Sequence, residues 1–437
     1  MKLTLRQQIT QFAQVLQTEL FPVLQEELGK LTAPAKRLLA TLEMIPLTRF
    51  VPSSRGWIGR PSKDRLAVAS AFVAKAVYGF STTRQLLDAL ARDAQLRQIC
   101  GWKEAWQVPH ESTFSRAFDE FARMELPQFV HETLIRETQQ DRLIGNIARD
   151  STAIEARERF PETASPAATP KVARSTSAAP LFPAESPAPA APAETPTPAV
   201  PAEPTAHALP AETPVPAAPK ATRGGKKGKR GRNKRWKGGK PKAAPRDETR
   251  LHQQRTMKLP EMLADLPKAC NIGVKTSASG FTQSWRGYKL HLDVADGQIP
   301  ISAILTSASL HDSQVAIPLA MMSTQRVTYL YELSDSAYDA REIQEFSREQ
   351  NHVPITDPNN RGRSQSVIAP GAPKRELSPA EAEHYKERTM IERVNGRLKD
   401  EFGGRTVRVR GACKVMAHLM FGVLALTVDQ LLRLVKA

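Results

Sequence analysis

The chain has 437 residues, 41% of them hydrophobic and 24% charged, with 62 Lys and Arg against 45 Asp and Glu for a formal net charge of +17. That length suits two or three domains, and the cationic excess favours a polyanionic partner, nucleic acid before membrane. Three dispersed cysteines (Cys100, Cys270 and Cys413) form no CxxC pair, which argues against a disulfide scaffold or a cysteine-rich zinc site and for a reducing compartment.

The first residues form an interrupted amphipathic pattern without the apolar core of a signal peptide. Residues 1 to about 140 then read almost entirely as helices, over 64–78, 83–91 after a Ser81-Thr82 cap, and 112–124 after Pro109. Ser112, Thr113, Ser115 and Arg116 stand early in the last of these. Such a helix is equally a DNA reader of helix-turn-helix type or a packing element. Gly59-Arg60-Pro61 carries little weight as a minor-groove contact.

Composition changes after about Arg159. From residue 161 to 219, 34 of 59 residues are Pro or Ala, too little apolar surface to offset the entropy of ordering, so a disordered spacer is expected. Residues 220–250 follow with 14 basic and 2 acidic side chains, among them Lys226, Lys227, Lys229, Arg230, Arg232, Lys234 and Arg235. A run of like charge this dense repels itself unless a polyanion neutralises it, so these residues are expected to contact DNA phosphates, with Trp236 offering one face for stacking.

From Leu143 the pattern turns to strands. One ends at Asp150; a second alternates Tyr288, Leu290, Leu292 and Val294 against Lys289, His291 and Asp293, and pairs as a hairpin with the segment after Gly297-Gln298. A further strand closes at Asp335, followed by helices. A helical front and a mixed sheet-and-helix back make an α+β or α/β chain with the insert, 161–250, inside its sheet-bearing part (141–437). The most apolar stretch, 415–428, holds 14 residues including His418; that is short of a bilayer span and reads as a buried helix, so no membrane association is expected.

One long helix is expected from Ser378, where Ser-Pro-Ala-Glu forms a capping box, to the stop at Gly403-Gly404. Along it Tyr385, Arg388, Glu392 and Lys399 fall within a fan of about 60°, at roughly 100° per residue. A solvated face of ion pairs explains such a stripe as well as a phosphate grip beside a metal-ligating carboxylate. Asp150 and Asp335 stand at strand ends, where open sheets place their sites, although either alone is more often a turn former. Three converging carboxylates require cations, and oxygen ligands select Mg²⁺ or Mn²⁺. Two such ions about 4 Å apart suit an in-line phosphodiester displacement. Asp293 and Asp312 are the substitutes for the aspartates, and His291 and His311 read as core or surface histidines.

These contexts resemble the DDE transposases of bacterial insertion sequences. Tyr385-x2-Arg388-x3-Glu392-x6-Lys399 matches the Y-R-E-K signature of one large group of them; Asp150-Ser151-Thr152 and Asp335-x-x-Tyr338 look like its first and second aspartate motifs. Gly287 to His291 and His311-Asp312 are similar to the strand and turn between them, and the front, residues 1–140, looks like the DNA-end-binding domain often fused to this core. The resemblance implies a ribonuclease-H-like catalytic core in which Asp150, Asp335 and Glu392 hold two Mg²⁺ or Mn²⁺ ions. Tyr385, Arg388 and Lys399 would contact phosphates of the element's end. It further implies cutting at element ends, joining of 3′-hydroxyls to target DNA, a homodimeric synaptic complex, and a cytoplasmic, nucleoid-associated bacterial protein. The insert between the aspartate motifs is foreign to the family's usual pattern. The competing readings are a DNA-binding protein that has lost catalysis and a ribonuclease-H-type nuclease without a joining step.

Overall fold

The computed structural model describes residues 4–51, 64–139, 141–158, 249–276, 280–359 and 376–436. Gly59-Arg60-Pro61, the Pro/Ala run, Trp236 and the seven basic residues between 226 and 235 lie outside the described residues.

The front consists of α1 (Leu5–Val15), α2 (Phe21–Leu28), α3 (Ala33–Met44), α4 (Leu47–Phe50), α5 (Arg65–Val77), α6 (Thr83–Arg92), α7 (Ala94–Ile99), α8 (Glu111–Arg123) and α9 (Leu126–Gln139). Asp64 caps α5 through the Leu66 and Ala67 amides, and Thr82 with Gln85 makes a capping box for α6. Every residue of α5 from Ala67 to Val77 is buried, so it must be surrounded on all sides. Phe72 supplies the contact, with the rings of Phe114, Phe118 and Phe121 from α8 and Phe421 from the C-terminal helix at centroid distances of 4.8–6.3 Å. The same packing leaves Ser112, Ser115 and Arg116 of α8 exposed and Thr113 half-buried.

The second half carries β1 (Leu143–Glu155), α10 (Arg250–Gln254), α11 (Leu259–Asp265), β2 (Asn271–Thr276), β3 (Thr282–Ala295), β4 (Ile299–Ser307), α12 (Ala316–Thr324), β5 (Thr328–Ser334), α13 (Arg341–Glu349), β6 (Val353–Thr356), α14 (Pro379–Lys386), α15 (Thr389–Asp400) and α16 (Ala412–Lys436). β3 runs antiparallel to β1, β2 and β4, while β1, β5 and β6 are parallel. This is the ribonuclease-H-like mixed sheet, flanked by helices. The β3–β4 hairpin turns at Gly297 and Gln298, both with positive φ. Gly287 of β3 lies against β1 with φ at +153°, and a Cβ there would lie 2.0 Å from the Ile154 carbonyl oxygen. Gly287→Ala is therefore expected to cost at least about 2 kcal/mol, read as a lowered urea midpoint.

α16 packs against α1, α3, α5, α8 and α9 of the front and against β4 and α15 of the sheet-bearing half, so both halves share one core. The apolar helix is thus longer than the expected 14 residues. Residues 412–434 are long and apolar enough to cross a membrane, but 83% of the apolar window is buried inside the protein, as in the core helix of a soluble fold.

Two further expectations are corrected. Asp150 lies inside β1 rather than at its end, because β1 continues along β3 to Glu155 after its pairing with β5 stops at Arg149–Ser334. The helix expected from Ser378 to Gly403 is also two helices, with tight i→i+3 bonds from the Arg388, Met390 and Ile391 amides to Tyr385, Glu387 and Arg388 carbonyls. α15 seats Met390, Ile391, Val394 and Leu398 in the core whereas α14 at most half-buries its residues, His384 and Tyr385 among them, so the two follow different surfaces. The Thr389 hydroxyl, donating back to the Lys386 carbonyl at 3.1 Å, favours the bend.

Candidate active site

The parallel register of β1 and β5 decides the geometry. Asp150 is the first β1 residue past the last β5 pair, and Asp335 is the first residue past β5 itself, so the two stand side by side where the strands part. Local backbone fixes each: the Ser151 amide donates to Asp150 Oδ1 at 2.7 Å, and Asp335 caps a 3₁₀ turn by accepting from the Ala337 amide at 3.0 Å. Burial and then the Asp335 charge push the Asp150 carboxyl up to about 6, against the pull of the Ser151 amide, Arg388 and Lys275. Burial also raises Asp335, with Asp312 adding to it and the Ala337 amide, Arg388 and Lys275 opposing.

Glu392 lies in the first turn of α15, where Arg388 Nη2 donates to its Oε1 at 2.6 Å; its side chain is 55% exposed against 19% for Arg388. Arg388 is the hub of the site. Burial would lower its affinity for a proton, yet Tyr385, Asp150, Glu392 and Asp335 together raise it, and its guanidinium carbon sits 5.7 Å from the centre of the Tyr385 ring. Lys399, two turns along α15, is lowered by burial and by the neighbouring cations Arg405 and Lys275. The bend between α14 and α15 thus keeps Tyr385, Arg388 and Glu392 together and puts Lys399 among Arg405, Lys275, Glu155 and Asp400.

The oxygen donors of Asp150 and Asp335 fit a divalent ion in kind. Both are hard oxygen ligands whose mutual repulsion a cation relieves. The buried Tyr338 hydroxyl beside them has no hydrogen-bond partner among the described residues. Asp312, Asp150 and Asp335 all raise its pKa after burial has done so. Glu392 is held by Arg388, and among the described residues no three His, Cys, Asp or Glu side chains gather into a metal-holding group. Of the substitutes, Asp312 is engaged by Lys289 at 2.8 Å and Asp293 by Arg149 at 2.8 Å. His291 is a core residue bonded to Thr306 at 2.9 Å, and His311 caps the turn at Asp312.

Sequence reasoning missed the layer behind the acids. Arg149, next to Asp150 but on the other face of β1, forms a fork with Asp293, through Nε–Oδ1 at 2.8 Å and Nη2–Oδ2 at 2.9 Å, and reaches Glu332 at 3.4 Å. Ser323 donates to Asp293 at 2.7 Å, and Tyr329 and Ser347 each donate to Glu332 at 2.6 Å. The alternation of Arg149 and Asp150 along a strand was the available signal.

Compared with known families, residues 268–428 match the "Transposase DDE domain" and residues 26–120 the "Transposase domain (DUF772)". The chain belongs to the DDE transposases of insertion sequences. No curated protein and no solved structure matches it. In this transposase the first match contains Asp335 and Glu392 and begins beyond Asp150, while the second spans α3 to α7 and most of α8.

Proposed function

We propose that this transposase cuts DNA at the ends of its insertion sequence and joins the freed 3′-hydroxyls to target DNA. The observation that carries the reading is the pairing of Asp150 with Asp335 at the parting of two parallel strands, each carboxyl raised by burial and by neighbouring acids. Asp150, Asp335 and Glu392 are the ligands for two Mg²⁺ or Mn²⁺ ions, which when bound supply Lewis-acid activation and stabilise the leaving oxygen. Two ligands are fixed by the sheet and the third is presented by α15. Arg388, Tyr385 and Lys399 grip phosphates around the scissile bond, and Arg388 exchanges its carboxylate contact for a phosphate one. The basic residues of the insert (Lys226, Lys227, Lys229, Arg230, Arg232, Lys234 and Arg235) add sequence-independent attraction to DNA. The working form is a homodimer bridging two ends in a bacterial cytoplasm, associated with the nucleoid.

The Arg388–Glu392 pair favours a second reading, a DNA-binding protein that no longer cuts. Duplexes carrying the repeats that bracket the coding gene separate the two. Nicking and strand transfer with Mg²⁺ but not with EDTA is the expected result; binding indifferent to metal, with no nick under either condition, establishes the binder instead.

A further inference from the structure

A cleft of about 380 Å³, separate from the acid pair, gathers five cations from four parts of the chain. Lys75 comes from α5, Arg157 from just beyond β1, Arg408 and Arg410 from the segment before α16, and Lys414 from the first turn of α16. Glu111 is the one acid among the described residues that line it; Lys414 also meets Asp119 at 2.9 Å.

Folding requirements do not explain these charges. Lys75 is 7% exposed in the buried stretch of α5 and has no acidic partner among the described residues. Its ammonium meets only His418 Nδ1, at 3.4 Å, and His418 in turn faces the Gly403 carbonyl through Nε2 at 3.1 Å, so the imidazole is neutral and accepts from Lys75. Burial lowers the Lys75 pKa to about 8, whereas an apolar side chain of the same length would carry no such cost. The segment 405–410 alternates, turning Val407 and Val409 towards the core and leaving Arg408 and Arg410 exposed. Gly411 is pinned by donating its amide to Glu158 Oε1 at 2.7 Å, which holds that segment beside Arg157. Among the described residues, Arg157, Arg408 and Arg410 form no ion pair. Thr83 and Ser115 bring hydroxyls to the same cleft.

We infer that this cleft holds the sugar-phosphate backbone of duplex DNA, as an anchor for the molecule whose scissile bond lies at Asp150 and Asp335. The inference rests on the reading of the chain as an enzyme that cuts DNA. Arginine, lysine and hydroxyl side chains supply most contacts to a nucleic-acid backbone. The separation also fits: seven extended residues from Asp150 to Arg157 span at most about 25 Å, within one duplex turn of about 34 Å.

The test uses the full chain and a 40-base-pair duplex carrying an element end, with binding followed by anisotropy across an ionic-strength series. Each phosphate contact contributes about 0.9 to the slope of log affinity against log salt, so Arg157→Gln/Arg408→Gln/Arg410→Gln should flatten it by about 2 to 3. The corresponding triple Lys variant should keep the wild-type slope. An unchanged slope in a Gln variant with wild-type circular dichroism overturns the inference, whether or not metal-dependent nicking is seen. A flattened slope with no nicking by the wild-type chain upholds the cleft and refutes the cutting function instead.

Discussion

Asp150→Asn and Asp335→Asn are each expected to lower metal-dependent cutting about 10³-fold or more at saturating DNA, with the fold retained. Bound metal supplies several kcal/mol of charge stabilisation, and each 1.36 kcal/mol is a decade in rate. Asparagine keeps the shape and an acceptor oxygen for the Ser151 or Ala337 amide. Stability gives an independent reading. The Asp150 carboxyl is lifted from 3.8 to about 6 by burial and by Asp335. A folded pKa above the unfolded one contributes stability that is complete below the ordinary carboxylate range and lost as pH rises through about 6. The lift corresponds to about 3 kcal/mol, so Asp150→Asn should stabilise the metal-free chain at pH 8. Magnesium should raise the thermal midpoint of the wild type and leave the variant's unmoved. An Asn variant less stable than wild type in EDTA, or one still answering to Mg²⁺, would falsify the acid pair as the metal site.

Arg149→Met should cost about 3–5 kcal/mol, because it leaves two buried carboxylates without their cation. Arg149, Asp293 and Glu332 are 2%, 0% and 4% exposed. One guanidinium faces two acids, and the pair divides accordingly: burial lifts Asp293 despite Arg149 and Ser323, whereas Arg149, Ser347 and Tyr329 hold Glu332 below its ordinary range against burial. Adding Asp293→Asn and Glu332→Gln to Arg149→Met should recover more than half of the loss, since the amide at 293 still accepts from Ser323, while the amide at 332 accepts from Tyr329 and donates to the Ser347 hydroxyl, which keeps its own bond to the Ile343 carbonyl. Urea midpoints of the single and triple variants decide this, and equal midpoints would refute a charge-based cost.

Much of the architecture was legible from side-chain periodicity. The β3–β4 hairpin, the break after Asp335 and the capped start of α6 follow from alternation and from Thr82, which are local signals, whereas Asp64, read as the first residue of its helix, is the cap of α5. Local signals also misled. The capping box at Ser378 starts α14 correctly, but nothing near Arg388 announces that α15 turns to follow the sheet. Asp150 looked terminal because polar residues follow it; β1 continues because Ser151 and Thr152 pair with His291 and Leu290 more than a hundred residues away. The side-by-side placement of Asp150 and Asp335 was expected only as a possibility of open sheets, and it depends on a parallel register that no spacing reveals. The Arg149 network and the basic cleft join residues from distant segments, so single-chain patterns carried neither.

The polar layer beneath the acids has a consequence for timing. Arg149 must wait for partners 144 and 183 residues further along the chain before its charge is matched. During synthesis β1 emerges as an incomplete edge, and the floor of the pocket closes only once β5 has been translated. A ribosome-bound product that stalls before that strand therefore lacks both the closed floor and Asp335, so the acid pair is absent from it.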